Sequence, residues 1–247
     1  MTKPTSALLL LGLVASARLH AQATLVTSEH VARAIALEKP LKKNYDVLAP
    51  AGQPWFEVKA GTAKVLITAG HATAQTREGV RKFADGGTGS LAMMLNSLAN
   101  APTIHTTYMS PSDPNFYDDN EFKKEVERLI KELQPALVID LHASAASRPY
   151  DVDFGTMHGK SLLGKDGLLK KLATTLEREG VAIQSDNFFA AEKNATLTKW
   201  VAGKGVACIQ LEINAKFLAP ETDEAHAQRF AQLLQGLVRF VESTKTN

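Results

Sequence analysis

The stretch Ala136-Leu137-Val138-Ile139-Asp140-Leu141-His142 decides the fold. It is short, apolar and β-branched, and Pro135 sets it off from what precedes it, so it reads as a buried strand. Side chains alternate along a strand, which puts Asp140 and His142 on one face at its end. Just upstream, Phe122, Val126, Leu129, Ile130 and Leu133 form one helical stripe with charged residues between them, stopped by Pro135. A helix running directly into an apolar strand is one unit of an α/β chain.

The same reading extends in both directions. Ala63 to Thr68 is a buried strand that delivers His71 at its end through Ala69-Gly70. A long polar loop follows and closes at Asp85-Gly86-Gly87-Thr88-Gly89, after which Leu91, Met94, Leu95 and Leu98 keep helical spacing. Downstream come a strand near Val152 to Thr156, a helix from about Gly167 to Glu179 with Gly180 at its C-terminal end, and a strand at Val181 to Gln184. Val206 to Ile213 is a further strand, carrying Glu212 in an otherwise apolar run. The last helix, from about Thr222 to Glu242, turns Phe230, Leu233, Leu234, Leu237 and Phe240 to the core. The expected fold class is α/β: an open, largely parallel but mixed sheet with helices on both faces. Ligands of such sheets collect outside the carboxyl ends of the strands.

At the N-terminus, Lys3, the apolar run Ala7 to Ala17 and Ala21-Gln22-Ala23 have the order of a cleavable secretory signal over residues 1–23. The run is too short to span a bilayer, and no cysteine follows the cut to carry a lipid, so a secreted or periplasmic product without a stable membrane anchor is expected. Residues 24–60 read as a lead-in, with a helix over Ser28 to Leu37 and breaks at Pro40, Pro50, Gly52 and Pro54; residues 61–247 read as the main α/β domain, which carries the candidate site residues. Removing Lys3 and Arg18 with the signal leaves 26 basic against 26 acidic residues. A neutral chain without a basic stretch argues against nucleic acid as a partner and for a small or locally charged substrate. Cys208 is the one cysteine, so no intrachain disulfide forms, and its setting Val206-Ala207-Cys208-Ile209 makes it a core residue rather than a nucleophile.

Two imidazoles and a carboxylate leave a zinc ion with an open position where water can be activated. His71, Asp85 and His142 offer that set, with Glu212 as general base and Asp140 as the acceptor that orients a histidine. Each has a plainer reading. A strand-end histidine can be an ordinary half-buried polar residue; Asp85 or Thr88 can cap the helix; Glu212 can pair with a lysine or arginine.

From His71 to Leu218, about three fifths of the chain, the sequence resembles the N-formylglutamate amidohydrolases, whose fold is that of the zinc carboxypeptidases, a three-layer sandwich of the phosphorylase/hydrolase-like kind. The resemblance rests on the order of His71, Asp85-Gly-Gly-Thr-Gly-Ser-Leu-Ala, Val-Ile-Asp-Leu-His142, Phe154-Gly-Thr156 and Ile-Gln-Leu-Glu212-Ile-Asn214. It implies Zn2+ held by His71, His142 and an intervening acid, with Glu212 as the base. Asp85, before a Gly-Thr helix start, is preferred for that acid over Glu78. The stretch Asn187-Phe-Phe-Ala-Ala-Glu-Lys193 departs from the family and implies a different pocket wall, which together with export points toward a peptide-like or γ-glutamyl amide. For the substrate carboxylate, Arg77 and Arg148 are candidate clamps and Asn115 a candidate contact; the arginines can equally be surface charges and Asn115 a turn residue. A competing class is an exported protein that captures a small carboxylate without turnover, although a carboxylate such as Glu212 aimed at an anion would not help it. No Gly-x-Ser-x-Gly elbow exists, and Asp85 to Gly89 lacks the ending of a phosphate loop.

Overall fold

The computed structural model describes residues 24–244. The signal reading falls on residues 1–23, outside those described. The elements are α1 (Ser28–Asn44), β1 (Phe56–Lys59), β2 (Val65–Ala69), β3 (Gln75–Arg77), β4 (Val80–Lys82), α2 (Thr88–Ala99), β5 (Thr103–Thr106), α3 (Glu121–Leu133), β6 (Leu137–Ser144), β7 (Val152–Gly155), α4 (Asp166–Arg178), β8 (Gln184–Asp186), α5 (Leu197–Gly203), β9 (Cys208–Asn214) and α6 (Glu224–Ser243). Seven strands make one mixed sheet in the order β1-β5-β2-β6-β9-β7-β8, and β3 with β4 forms a separate hairpin. The β5-β2-β6-β9 centre is parallel, while β1 and β7 join it antiparallel. The α/β class with helices on both faces is therefore as the sequence implies.

Period-two alternation assigns the layers. Val65, Ile67, Leu137, Ile139, Leu141, Ile209, Leu211 and Ile213 turn to one face and pack under α1, α2, α4 and α6. Leu66, Ile104, Val138 and Cys208 turn to the other, under Phe122, Val126, Leu129 and Ile130 of α3 and Leu197 and Val201 of α5. Each fully buried leucine, isoleucine or phenylalanine contributes about 1.5–3 kcal/mol. On the α3/α5 face the even-numbered positions change character along the strands. Leu66 pairs with Val138, then Thr68 with Asp140, then His142 with Glu212. Apolar residues hold the two layers together at the amino ends, and polar ones gather at the carboxyl ends.

Boundaries differ from the sequence reading where tertiary contacts compete with local signals. Pro40, expected to break the first helix, lies inside α1, which runs on to Asn44. Beyond it Leu41 is buried, on the same stripe as Val31, Ala34 and Glu38, so packing outweighs the lost backbone bond. The residues of the lead-in thus contribute α1, packed on α2 and α6, and the edge strand β1. The expected strand at Val181 to Gln184 begins at Gln184. Val181 instead closes α4, its N–H donating to the Leu176 carbonyl at 3.0 Å after Gly180 at φ +92°. Among the described residues no helix is long and apolar enough to cross a membrane.

Candidate metal centre and cleft

His71 and His142 reach the same sheet edge because β2 and β6 are neighbours and both run toward it. Asp85 joins them by a different route. The chain leaves His71, forms the β3-β4 hairpin and returns, and the Asp85 N–H closes the excursion on the His71 carbonyl at 2.7 Å. Gly87 then turns into α2 at φ +86°, a position where a Cβ would stand 2.2 Å from the Leu218 carbonyl oxygen. The first amides of α2 are met by Glu38 of α1, which accepts from Gly87 N–H at 3.1 Å and Ser90 N–H at 3.2 Å. The Asp85 side chain therefore does not cap the helix. Its Oδ2 lies 3.0 Å from His142 Nδ1 and 3.6 Å from His71 Nδ1.

One ligand atom from each of His71, Asp85 and His142 lies within 4.8 Å of the other two. Ligands about 2.0–2.1 Å from a tetrahedral zinc are about 3.3 Å from one another, so a small contraction of this set would hold the ion. The surroundings fit as well. His71 Nε2 is 2.8 Å from Asp113 Oδ1, and His142 Nε2 is 2.9 Å from Asp140 Oδ2. A ring that donates from Nε2 to a carboxylate carries its lone pair on Nδ1, and both Nδ1 atoms face Asp85. Asp140 is fixed in turn by the Thr68 hydroxyl at 2.6 Å. Asp113 is fixed by the Asn115 N–H at 2.7 Å and by Arg77, whose Nε and Nη2 donate to its Oδ2 at 2.8 and 2.6 Å.

Without a metal these groups hold protons tightly. Burial opposes a charged His71, but hydrogen bonds to Asp113 and Asp85 outweigh it and raise the pKa to about 9. His142 is likewise raised, burial being overcome by the charge and hydrogen bond of Asp140 and by Asp85. Burial would raise Asp85, yet its hydrogen bonds to the two histidines lower it to about 2. This is a carboxylate shared between two imidazolium groups, the arrangement a dication would replace.

Glu212 stands beside this cluster on β9, opposite His142 in register. Burial raises its pKa to about 7, with neighbouring charges of both signs acting against one another. Gln210 Nε2 donates to its Oε1 at 3.0 Å. Among the described residues no lysine or arginine pairs with it, so the plainer reading of a structural ion pair does not apply. A carboxyl poised near neutral pH suits proton transfer.

The cluster opens into a cleft of about 740 Å³. His71, Asp85, His142, Glu212, Lys82, Phe188 and Phe189 are among the residues that line it. Asn115 lines it too, with Nδ2 2.9 Å from His142 Nε2, and its side-chain oxygen accepts the Leu197 N–H. The two arginine candidates separate. Arg77 lines the cleft and is paired with Asp113, whereas Arg148 is not among the lining residues: its guanidinium lies over the rings of Phe188 and Phe189, 5.2 and 5.0 Å from their centroids, with no carboxylate paired to it among the described residues. Glu78, the alternative third ligand, is exposed at the β3-β4 turn with φ +52° and stands outside the cluster. Cys208 is buried under α5, and burial pushes its thiol up. The sequence reading missed Asp113 and Gln210. Asp113 sits in Asp-Pro-Asn, which reads as a turn, and only the fold brings it to His71.

The sequence matches no protein-family model and no curated protein. Solved structures do match. The N-formylglutamate amidohydrolase from Ralstonia eutropha JMP134 aligns with 77% of this chain and 98% of its own at 13% identity and a TM-score of 0.55. A bacteriophage poly-γ-glutamate hydrolase aligns with 80% and 90% at 14% identity and 0.51. A metallo-carboxypeptidase from Burkholderia cenocepacia aligns with 78% and 66% at 12% identity and 0.47. The chain therefore has the fold shared by N-formylglutamate amidohydrolase and phage poly-γ-glutamate hydrolase.

Proposed function

We propose that the protein is a zinc-dependent amidohydrolase that cleaves an amide bond beside a carboxylate. The observation that carries this reading is the meeting of His71, Asp85 and His142 in one cleft with an unpaired, half-buried carboxylate, Glu212, next to them. Zinc bound by the three would supply Lewis acidity for a carbonyl oxygen and lower the pKa of water.

The protein's own groups carry the rest. Glu212, ionised at or above neutral pH, takes a proton from the attacking water on an Oε atom and returns it to the departing amide nitrogen. Gln210 holds the carboxylate by donating to Oε1. Arg148, which rests on two of the cleft's lining residues with Phe188 and Phe189 together on one side of its guanidinium, is the candidate clamp for the substrate carboxylate. Arg77, which also lines the cleft, serves the centre by holding Asp113. Export belongs to the same reading, supported by Lys3, the apolar run after it and Ala21-Gln22-Ala23. A catabolic intermediate such as formylglutamate is met inside cells, so a peptide-like or γ-glutamyl amide is the better substrate, as the departure at Asn187 to Lys193 also argues.

The test is a panel of N-formylglutamate, γ-glutamyl amides and dipeptides given to the zinc-loaded mature protein, each beside its carboxyl methyl ester. Hydrolysis of a γ-glutamyl or peptide amide, lost on esterification, is expected. Formylglutamate turned over far faster than every peptide amide would remove the substrate assignment, and no turnover of any member would remove the enzyme.

A further inference from the structure

The β3-β4 hairpin fills the chain's excursion from His71 to Asp85, and one of its faces belongs to the cleft. Across the hairpin Gln75 pairs with Lys82 and Arg77 with Val80. Side chains alternate along a strand and those directly opposite share a face, so Gln75, Arg77 and Lys82 stand together. All three line the cleft, whereas Thr76 and Glu78, on the other face, border a separate depression. The hairpin is held in place by its backbone: the Thr76 N–H donates to the Ser110 carbonyl at 3.1 Å, and the Ser110 N–H to the Ala74 carbonyl at 2.8 Å.

Two of the three have unused bonding capacity. Gln75 is 4% exposed, yet its Oε1 has no hydrogen-bond partner among the described residues. Leaving a buried acceptor unmet is costly, and a lining residue that does so calls for a donor from the cleft. The terminal torsion of a carboxamide is broad and two-fold, so the group can turn its oxygen toward such a donor. Lys82 is half-buried, and no carboxylate pairs with it among the described residues, while Arg81 on the opposite face is paired with Asp46. Arg77 is already engaged by Asp113. Lys193 also lines the cleft but is exposed, so its ammonium stays in water. A cation and an acceptor side by side match a carboxylate with an N–H donor next to it, which is the make-up of an α-amino acid group.

We infer that Gln75 and Lys82 form a subsite for an α-amino acid group of the substrate, its carboxylate on Lys82 Nζ and its ammonium donating to Gln75 Oε1. This rests on the proposed hydrolase and narrows its substrate to one that carries such a group, as a γ-glutamyl residue does. The carboxylate assigned to Arg148 is then a second one.

The experiment titrates the purified protein, freed of metal so that an amino acid cannot simply ligate zinc, with L-norvaline, L-norvalinamide and pentanoate. The first carries both groups, the second lacks the carboxylate and the third the ammonium. By calorimetry the wild type should bind norvaline about tenfold more tightly than either of the others. Lys82→Met should weaken norvaline about tenfold and leave norvalinamide unchanged, and Lys82→Arg should restore most of the loss. Gln75→Met should bring norvaline to the level of pentanoate and leave pentanoate unchanged. Equal binding of all three ligands by the wild type, variant losses that fall on every ligand alike, or no binding of norvaline would each overturn the subsite. If Gln75→Met does not fold, the two Lys82 variants decide by the same criteria. In the zinc-loaded enzyme, kcat/KM for a γ-glutamyl amide should fall about tenfold in Lys82→Met. If no amide is turned over, the ligand series still decides, so failure of the hydrolase and failure of the subsite are told apart.

Discussion

The two sides of the cleft are built on different principles. On one, His142 and Glu212 project from adjacent parallel strands whose alternation fixes where every side chain points, with His71 just past the end of a third. On the other, Phe188 and Phe189 come from a loop whose backbone is held by a buried anchor, Asp153. In the proposed hydrolase the strand side would hold the groups that must keep sub-ångström relations for chemistry. The loop side would hold groups that choose the substrate and can be exchanged without dismantling the sheet. Substitutions on the two sides should therefore fail differently.

The largest effect is expected from Glu212→Gln, which keeps the shape and removes the proton acceptor. Turnover should fall about 10³-fold or more with zinc content intact; a variant retaining a tenth of wild-type activity would show that proton transfer does not pass through Glu212. Next is the dependence of zinc binding on pH. Since His71 of the metal-free protein keeps its proton up to about pH 9, zinc at pH 7 must displace it. Affinity should then fall as pH falls, by about tenfold per unit for each proton displaced, and rise until the histidine is neutral. Titrations in buffers of different ionisation enthalpy should register the released protons, and a pH-independent affinity would contradict the proton-laden cluster.

Within the strand side, Asp113→Asn should lower zinc affinity about 10–100-fold by weakening the hold on His71, with little change in KM for metal-saturated enzyme. The two arginines sharpen the contrast most. Arg148→Gln should raise KM about tenfold and leave zinc affinity alone, whereas Arg77→Gln should do the reverse and more weakly, because its guanidinium serves Asp113. Matching effects from both would erase the distinction between the two sides.

The same division governs what could be read from the sequence. The strands that carry His142 and Glu212 are legible because apolar alternation is local, and the polar residues interrupting it stand out at the strand ends. The helix stripes of α3 and α6 are legible for the same reason, and every core residue assigned to α6 is fully buried. Asp85 was legible only as a residue before a helix start. Its choice over Glu78 as a member of the cluster depends on the return of the chain to His71, a contact between residues fourteen apart that no local periodicity encodes. Asp113 carries no signal beyond a turn, and Asp153 reads as one polar position in a short strand. Pro40 misleads because a breaker is judged locally while Leu41 and Glu38 are held by α2 and its neighbours. In each case the missing information is a contact between residues distant in the sequence.

The most direct test of the account is the metal content of the purified mature protein, measured by elemental analysis beside His142→Ala. About one zinc per wild-type chain and little in the variant is the predicted result. No stoichiometric metal in the wild type, even after incubation with zinc, would contradict it.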